Sequence, residues 1–190
     1  MGDKLSRRRL LKFGLLGAVT ASIPLAVEPG APALGANSSA LTIAVRELSF
    51  YNVHTGERLK TAYFENGDYV PGALSQVNHF FRDFRTNQIR AIDPRLLDLL
   101  FRINSALETS QPFNLISGYR SPATNAWLAG HSGGVSHHSL HMYGMASDIN
   151  VQGRSLALLQ MVALAMRGGG VGFYPGSDFV HVDTGRVRRW

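Results

Sequence analysis

Apolar and polar positions alternate in two early stretches, Leu48-Ser-Phe-Tyr-Asn-Val53 and Arg58-Leu-Lys-Thr-Ala-Tyr-Phe64, which flank His54-Thr-Gly56. Two β-rich runs around a glycine turn predict a hairpin. The period then lengthens: Leu74, Val77, Phe81 and Phe84 recur at helical spacing, and so do Leu96, Leu100, Ile103 and Leu107. The second helix has a start signal, because Asp93 can cap free N–H groups and Pro94 suits the first turn, where its missing N–H costs nothing. Phe113-Asn-Leu-Ile116, bounded by Pro112 and Gly118, predicts a strand that delivers Tyr119 and Arg120 at its end. Ser121-Pro122 starts a short helix, and the glycine-, serine- and histidine-rich stretch from Gly130 to Ser139 predicts a loop. Ala146 to Val151 alternates as a strand with Asp148 on one face. Leu156, Leu159, Ala163 and Met166 form a last helical stripe, stopped by Gly168-Gly-Gly170, after which Val171–Phe173 and Phe179–Val182 complete a small antiparallel sheet. The fold class is α+β, with helices on one face of the sheet and the other face left for chemistry.

The N-terminus follows a different pattern. Ser6-Arg7-Arg8-Arg9-Leu10-Leu11-Lys12 fits the twin-arginine export signal, and an uncharged run from Phe13 to Val27 follows it. That run is shorter than the roughly 20 residues a spanning helix needs, and small residues around Ala31 to Ala36 offer a cleavage region. Residues 1–36 are therefore expected to be a signal peptide with its processing region, and residues 37–190 a single domain. The expected partner for the leader is the twin-arginine export machinery, with no stable membrane anchor once it is cleaved, and the expected location is periplasmic or cell-surface.

Composition narrows the chemistry. The chain has no cysteine, which removes disulfides, thiolate-bound zinc and thiol catalysis together. Half of the formal charge of +6 lies in the leader, and the remainder is too small to argue for nucleic acid, though it suits contact with an acidic polymer. Gly168-Gly-Gly-Val-Gly172 lacks the lysine-serine/threonine pair of a phosphate loop.

The densest chemistry lies in Ser139-Leu-His141-Met-Tyr-Gly144-Met-Ala146-Ser-Asp148, with a second histidine in Asp178-Phe-Val-His181. Zinc takes neutral imidazole and carboxylate, and a catalytic site keeps three protein ligands and a fourth position for water. His141, Asp148 and His181 would supply those three for one Zn2+ ion. His137 and His138 are each candidates for a spare ligand, a substrate contact or a loop residue, and His138, three residues before His141, leaves a second metal register open. Asp178 is three residues before His181, so on an extended segment the two side chains face apart unless a bend intervenes, for which Pro175-Gly176-Ser177 gives room. Asp183, two residues past His181, shares its strand face and is a candidate for orienting a ligand or for serving as base. Arg120 could stabilise a developing oxyanion or clamp a carboxylate with its forked donors. Tyr119, Tyr174 and Trp190 are candidates for the cleft lining or for the core, while His54, His79 and His131 have no carboxylate partner in a motif.

Ser-x-His-x-x-Gly-x-Ala-x-Asp followed by acid-x-x-His resembles the zinc D-alanyl-D-alanine peptidases, a superfamily that includes hedgehog- and lysostaphin-type domains. Ser117-Gly-Tyr-Arg120-Ser resembles the same family's arginine motif, and the closing Gly170-Val-Gly-Phe-Tyr-Pro…Phe179-Val-His-Val-Asp-Thr-Gly185…Trp190 resembles its YcbK-like murein-peptidase branch. The resemblance spans roughly Ser38 to Trp190. It implies the His141 register rather than His138, a general-base position at Asp178, a substrate contact at Ser139, and a peptidoglycan peptide as substrate. The activity it implies is zinc-dependent cleavage of amide bonds in murein cross-links or stem peptides. Alternatives are a D,D-carboxypeptidase or dipeptidase acting on D-Ala-D-Ala, and a murein-binding module without catalysis.

Overall fold

A computed structural model describes residues 45–132 and 134–190. The leader and its processing region lie outside the described residues. Among those described, no helix is long and apolar enough to cross a membrane.

The predicted hairpin forms from β1 (Arg46–Asn52) and β2 (Arg58–Glu65), antiparallel, with Phe50 opposite Leu59. A two-residue strand, β3 (Asp68–Tyr69), folds back on β2. Helices α1 (Pro71–Phe80) and α2 (Pro94–Ala106) follow, and then β4 (Phe113–Ser117), which returns beside β1 in parallel. After α3 (Pro122–His131) a 3-10 turn at Leu140–Tyr143 feeds β5 (Ala146–Val151). Helix α4 (Leu156–Met166), β6 (Gly170–Tyr174), β7 (Phe179–Asp183) and β8 (Arg188–Arg189) complete the chain.

The α+β class stands, and the sheet is larger than the small antiparallel one expected. Its eight strands run in the order β3-β2-β1-β4-β5-β7-β6-β8. Parallel pairing of β1 with β4 joins the N-terminal hairpin to the site-bearing strands, and β8 pairs in parallel with β6. Alternation along the strands sorts the two faces. Leu48, Phe50, Phe113, Leu115, Ile149, Val151, Val180 and Val182 turn to one side and share one buried core with Val77 and Phe80 of α1, five residues of α2 from Leu96 to Ile103, and Leu159 and Ala163 of α4. Asn114, Asn150, Asp148, His181 and Asp183 occupy the alternate positions, and α3 borders the cleft on that side.

Helix α2 starts as expected, with the Asp93 carboxylate accepting from the Arg95 N–H. Helix α1 does not follow its predicted stripe, since it ends at Phe80 and Phe84 lies beyond it. The chain leaves the helix because Asp83, only 2% exposed, is drawn across to the start of α3. Its Oδ2 accepts from the Ser121 N–H at 2.9 Å and its Oδ1 from the Arg85 N–H at 3.0 Å. Alongside, the Tyr119 N–H donates to the Phe81 carbonyl at 2.7 Å. The glycine triplet also acts differently from a simple helix stop. Arg167 takes the left-handed position at φ 50°, while Gly168 and Gly169 allow close approach: a Cβ on Gly169 would stand 1.8 Å from the Asp183 carbonyl oxygen.

Burial alone would raise the Asp83 carboxyl, but hydrogen bonds from Thr124, Ser121 and the Arg85 amide outweigh it and bring it to about 2. A depressed folded-state pKa contributes stability that is complete above the unfolded value near 4 and disappears as pH falls through about 2. Asp83→Asn is therefore expected to lose about 2 kcal/mol at pH 7 and to flatten the acid limb of the stability profile. Urea titrations between pH 2 and 7 measure this, and a variant whose profile parallels the wild type would contradict it.

Candidate metal centre and its cleft

The cross-strand register brings the candidate ligands together. Asp148 of β5 stands directly opposite His181 of β7, so both side chains rise from the same face. His141 approaches from the 3-10 turn, whose geometry depends on Gly144. That residue sits at φ +67°, and a Cβ there would lie 2.3 Å from the Ala91 carbonyl oxygen. His141, Asp148 and His181 are buried and offer ligand atoms that all lie within 4.8 Å of one another.

The outer nitrogens of the two imidazoles determine where their lone pairs point. His141 Nδ1 lies 2.7 Å from the Gly118 carbonyl, so it carries the hydrogen and leaves Nε2 bare. His181 Nε2 lies 3.0 Å from Asp183 Oδ2, so it donates there and leaves Nδ1 bare. The bare nitrogens are 3.2 Å apart, and Asp148 Oδ1 is 3.1 Å from His141 Nε2 and 2.8 Å from His181 Nδ1. The edge of a zinc tetrahedron with bonds near 2.05 Å is about 3.3 Å. Two imidazole nitrogens and a carboxylate oxygen converging at nearly that spacing fit a divalent metal ion.

The surrounding groups set the charge. Burial alone would raise the Asp148 carboxyl, yet the His141 and His181 partners hold it well below the usual carboxylate range. Burial, reinforced by the nearby Arg120 charge, lowers His141 and favours its neutral form. His181 is raised because Asp148 and Asp183 outweigh its burial. Asp183 is fully buried and is fixed by Arg188 Nη2 at 2.7 Å and by the Gly170 and Gly185 amides at 2.9 and 2.8 Å. Its oxygens are thereby committed to orienting His181.

Arg120 ends in the same cluster. Its Nη2 donates to Asp148 Oδ2 at 2.6 Å and its Nε to Ser117 Oγ at 2.9 Å. Ser139 lines the cleft and also caps the 3-10 turn, its hydroxyl accepting from the His141 N–H at 3.4 Å. His138 is exposed at the cleft wall and outside the three-residue cluster. Asp178 lies at a bend and is exposed, outside the residues that line the cleft. At φ 56°, ψ 43° it ends a 3-10 turn over Pro175–Ser177, and Asn150 Nδ2 donates to its carboxylate at 3.0 Å. Asn150 lies two residues from Asp148 on β5, hence on the same face.

The cleft encloses about 640 Å³. Tyr174 and Trp190 line it, the Trp190 indole donating to the Tyr174 hydroxyl at 2.6 Å, whereas Tyr119 is in the core. His54 and Arg85 also line it and were not expected there. His54 is placed by Phe84 and the Ile116 carbonyl, both far away in the chain, whereas Arg85 is held by its neighbours Asp83 and Phe84.

Two histidines and one carboxylate converging in an open cleft make a site that can hold a divalent metal ion, a donor set that metallopeptidases share with other metal-dependent enzymes. The chain belongs to a family: the model of the peptidoglycan L,D-endopeptidase MepK family matches residues 40–190. It is similar to peptidoglycan L,D-endopeptidase MepK of Escherichia coli strain K12, with 43% identity over 185 residues that cover 97% of each chain. It is also similar to a probable peptidoglycan L,D-endopeptidase MepK of Haemophilus influenzae, 40% identical over 146 residues, 76% of this chain and 78% of the other.

Two substitutions separate the parts of this centre. Asp183→Asn is expected to weaken metal binding about 10- to 100-fold, read by competition with a chromophoric chelator; unchanged affinity would remove Asp183 from the support of His181. Gly118→Ala would place a Cβ 2.6 Å from the Phe81 carbonyl oxygen and so displace the carbonyl that holds His141. It should lower both the thermal midpoint and metal affinity, and a fall in stability with intact affinity would contradict the link.

Proposed function

We propose that the chain is a zinc-dependent murein endopeptidase that cleaves L,D amide bonds in peptidoglycan cross-links. The observation that carries this is the convergence of His141 Nε2, Asp148 Oδ1 and His181 Nδ1, each with its outer atoms already bonded, inside a cleft wide enough for a peptide. The bond type follows the printed activity of the relatives. Zinc is supported by a donor set of two imidazoles and a carboxylate with no cysteine in the chain. When bound, such an ion polarises a carbonyl and lowers the pKa of water towards 7.

The chain's own residues supply the remaining functions. Asp178 acts as general base, accepting a proton from the attacking water and returning it to the leaving amine. Its exposed position and the Asn150 contact on the metal face support this role, as does the commitment of Asp183 to five donors. Arg120 holds Asp148 in place and presents its guanidinium to the cleft, where it can steady charge on the scissile carbonyl oxygen. Ser139 borders the same space and contacts the peptide. The leader, with Arg7 and Arg8 as the paired arginines, directs folded export through the twin-arginine route to the periplasm.

Digestion of purified sacculi with added zinc should deplete L,D-cross-linked dimers and leave D,D-cross-linked ones, and chelation should abolish the effect. Asp178→Ala should retain zinc and lose roughly 10²- to 10⁴-fold in turnover. Depletion of D,D dimers alone, or trimming of monomer ends alone, would overturn the assigned bond; full turnover by Asp178→Ala would remove it as base.

A further inference from the structure

Among the described residues, three arginines line the cleft, and two of them are engaged: Arg120 pairs with Asp148 and Arg188 with Asp183. The third, Arg85, forms no ion pair among the described residues. Among the described residues that line the cleft, Asp148 is the one carboxylate, and it already lies within the metal cluster; Asp178, the proposed base, stands outside that lining beside Asn150. Arg85 is exposed at the cleft and has no carboxylate partner among the described residues.

Arg85 is also held in place. Its guanidinium carbon lies 4.2 Å from the centroid of the Phe84 ring, and His54 stacks on the same ring at 4.2 Å with an interplanar angle of 18°. His54 is fixed in turn by a 3.0 Å contact from Nε2 to the Ile116 carbonyl, one residue before the Ser117 that accepts from Arg120. The Arg85 main chain is tied through Asp83 to Ser121, the residue after Arg120. The segments that carry the two arginines are thus tied to each other through Asp83 and Ser121, and through His54 and the Ile116 carbonyl. A cation stacked on an aromatic ring loses less freedom when it binds an anion than a loose one does.

We propose that Arg85, carried on the Phe84–His54 stack, forms a subsite for a free carboxylate of the stem peptide on one side of the scissile bond. This rests on the murein-peptidase reading and adds a specificity determinant to it. Arg85 binds and orients the peptide, and His54 and Phe84 are positioning residues. The forked guanidinium selects a planar carboxylate over the corresponding amide, which presents an N–H₂ donor in place of one acceptor oxygen.

The test uses the purified full chain loaded with zinc and two substrates, an L,D-cross-linked muropeptide with free carboxylates and the same compound with them amidated. Wild type should prefer the free acid, with the difference in KM. Arg85→Ala should lose roughly 10- to 100-fold in kcat/KM on the free acid, mostly through KM, and should lose the preference, with thermal midpoint and zinc content unchanged. Arg85→Lys should recover part of the affinity but less of the selectivity. Equal use of both substrates by wild type, or an undiminished preference in Arg85→Ala, would overturn the proposal. Calorimetric binding of the free-acid and amidated tripeptides to wild type and Arg85→Ala gives a readout independent of turnover. If no muropeptide is cleaved yet Arg85 still governs acid binding, the endopeptidase reading fails and the subsite stands.

Discussion

The pairing of Asp148 with His181 across β5 and β7 is the constraint on which the centre depends. A one-residue slip of β7 against β5 would turn His181 into the apolar core and bring its valine neighbours to the cleft. The core prevents the slip: Val180 and Val182 are buried beneath the helices against Ile149 and Val151, and both would have to leave that core. The hydrophobic face thereby fixes the position of polar groups it never touches. Burial of apolar surface is non-directional, yet through strand alternation it determines which atoms meet on the other side.

Around that pair, each polar group is held by another. Gly118 fixes His141, Asp183 fixes His181, and Arg188 with two backbone amides fixes Asp183. Arg120 takes the outer oxygen of Asp148 and leaves the inner one facing the imidazoles. A buried carboxylate without these partners would be costly, and the same contacts that relieve the cost also orient the lone pairs. Glycines at 118, 144 and 169 mark the places where backbone must approach backbone closely enough to build this shell.

Much of this was legible in the chain because it is local. The strand alternation around Asp148, the Asp93-Pro94 start of α2 and the hairpin around Gly56 depend on neighbours within a few residues. What escaped depends on distant partners. Phe84 fits the helical stripe of α1, but Asp83 must satisfy its buried carboxylate against Ser121, and that requirement ends the helix first. His54 sits in a hairpin turn with no motif around it, and only the fold brings Phe84 and the Ile116 carbonyl to its ring. The parallel contact between β1 and β4, which enlarges the sheet, likewise spans about sixty residues and has no periodic signature.

The central claim is that His141 through Nε2, His181 through Nδ1 and Asp148 hold one zinc ion. Anomalous diffraction at the zinc edge from crystals of the metal-loaded protein tests it directly. The account predicts a single strong peak within about 2.2 Å of those three atoms, with Gly118 and Asp183 still bonded to the outer ring nitrogens. A peak bound by His138 in place of His141, or by His181 through Nε2 with the Asp183 contact broken, would contradict it.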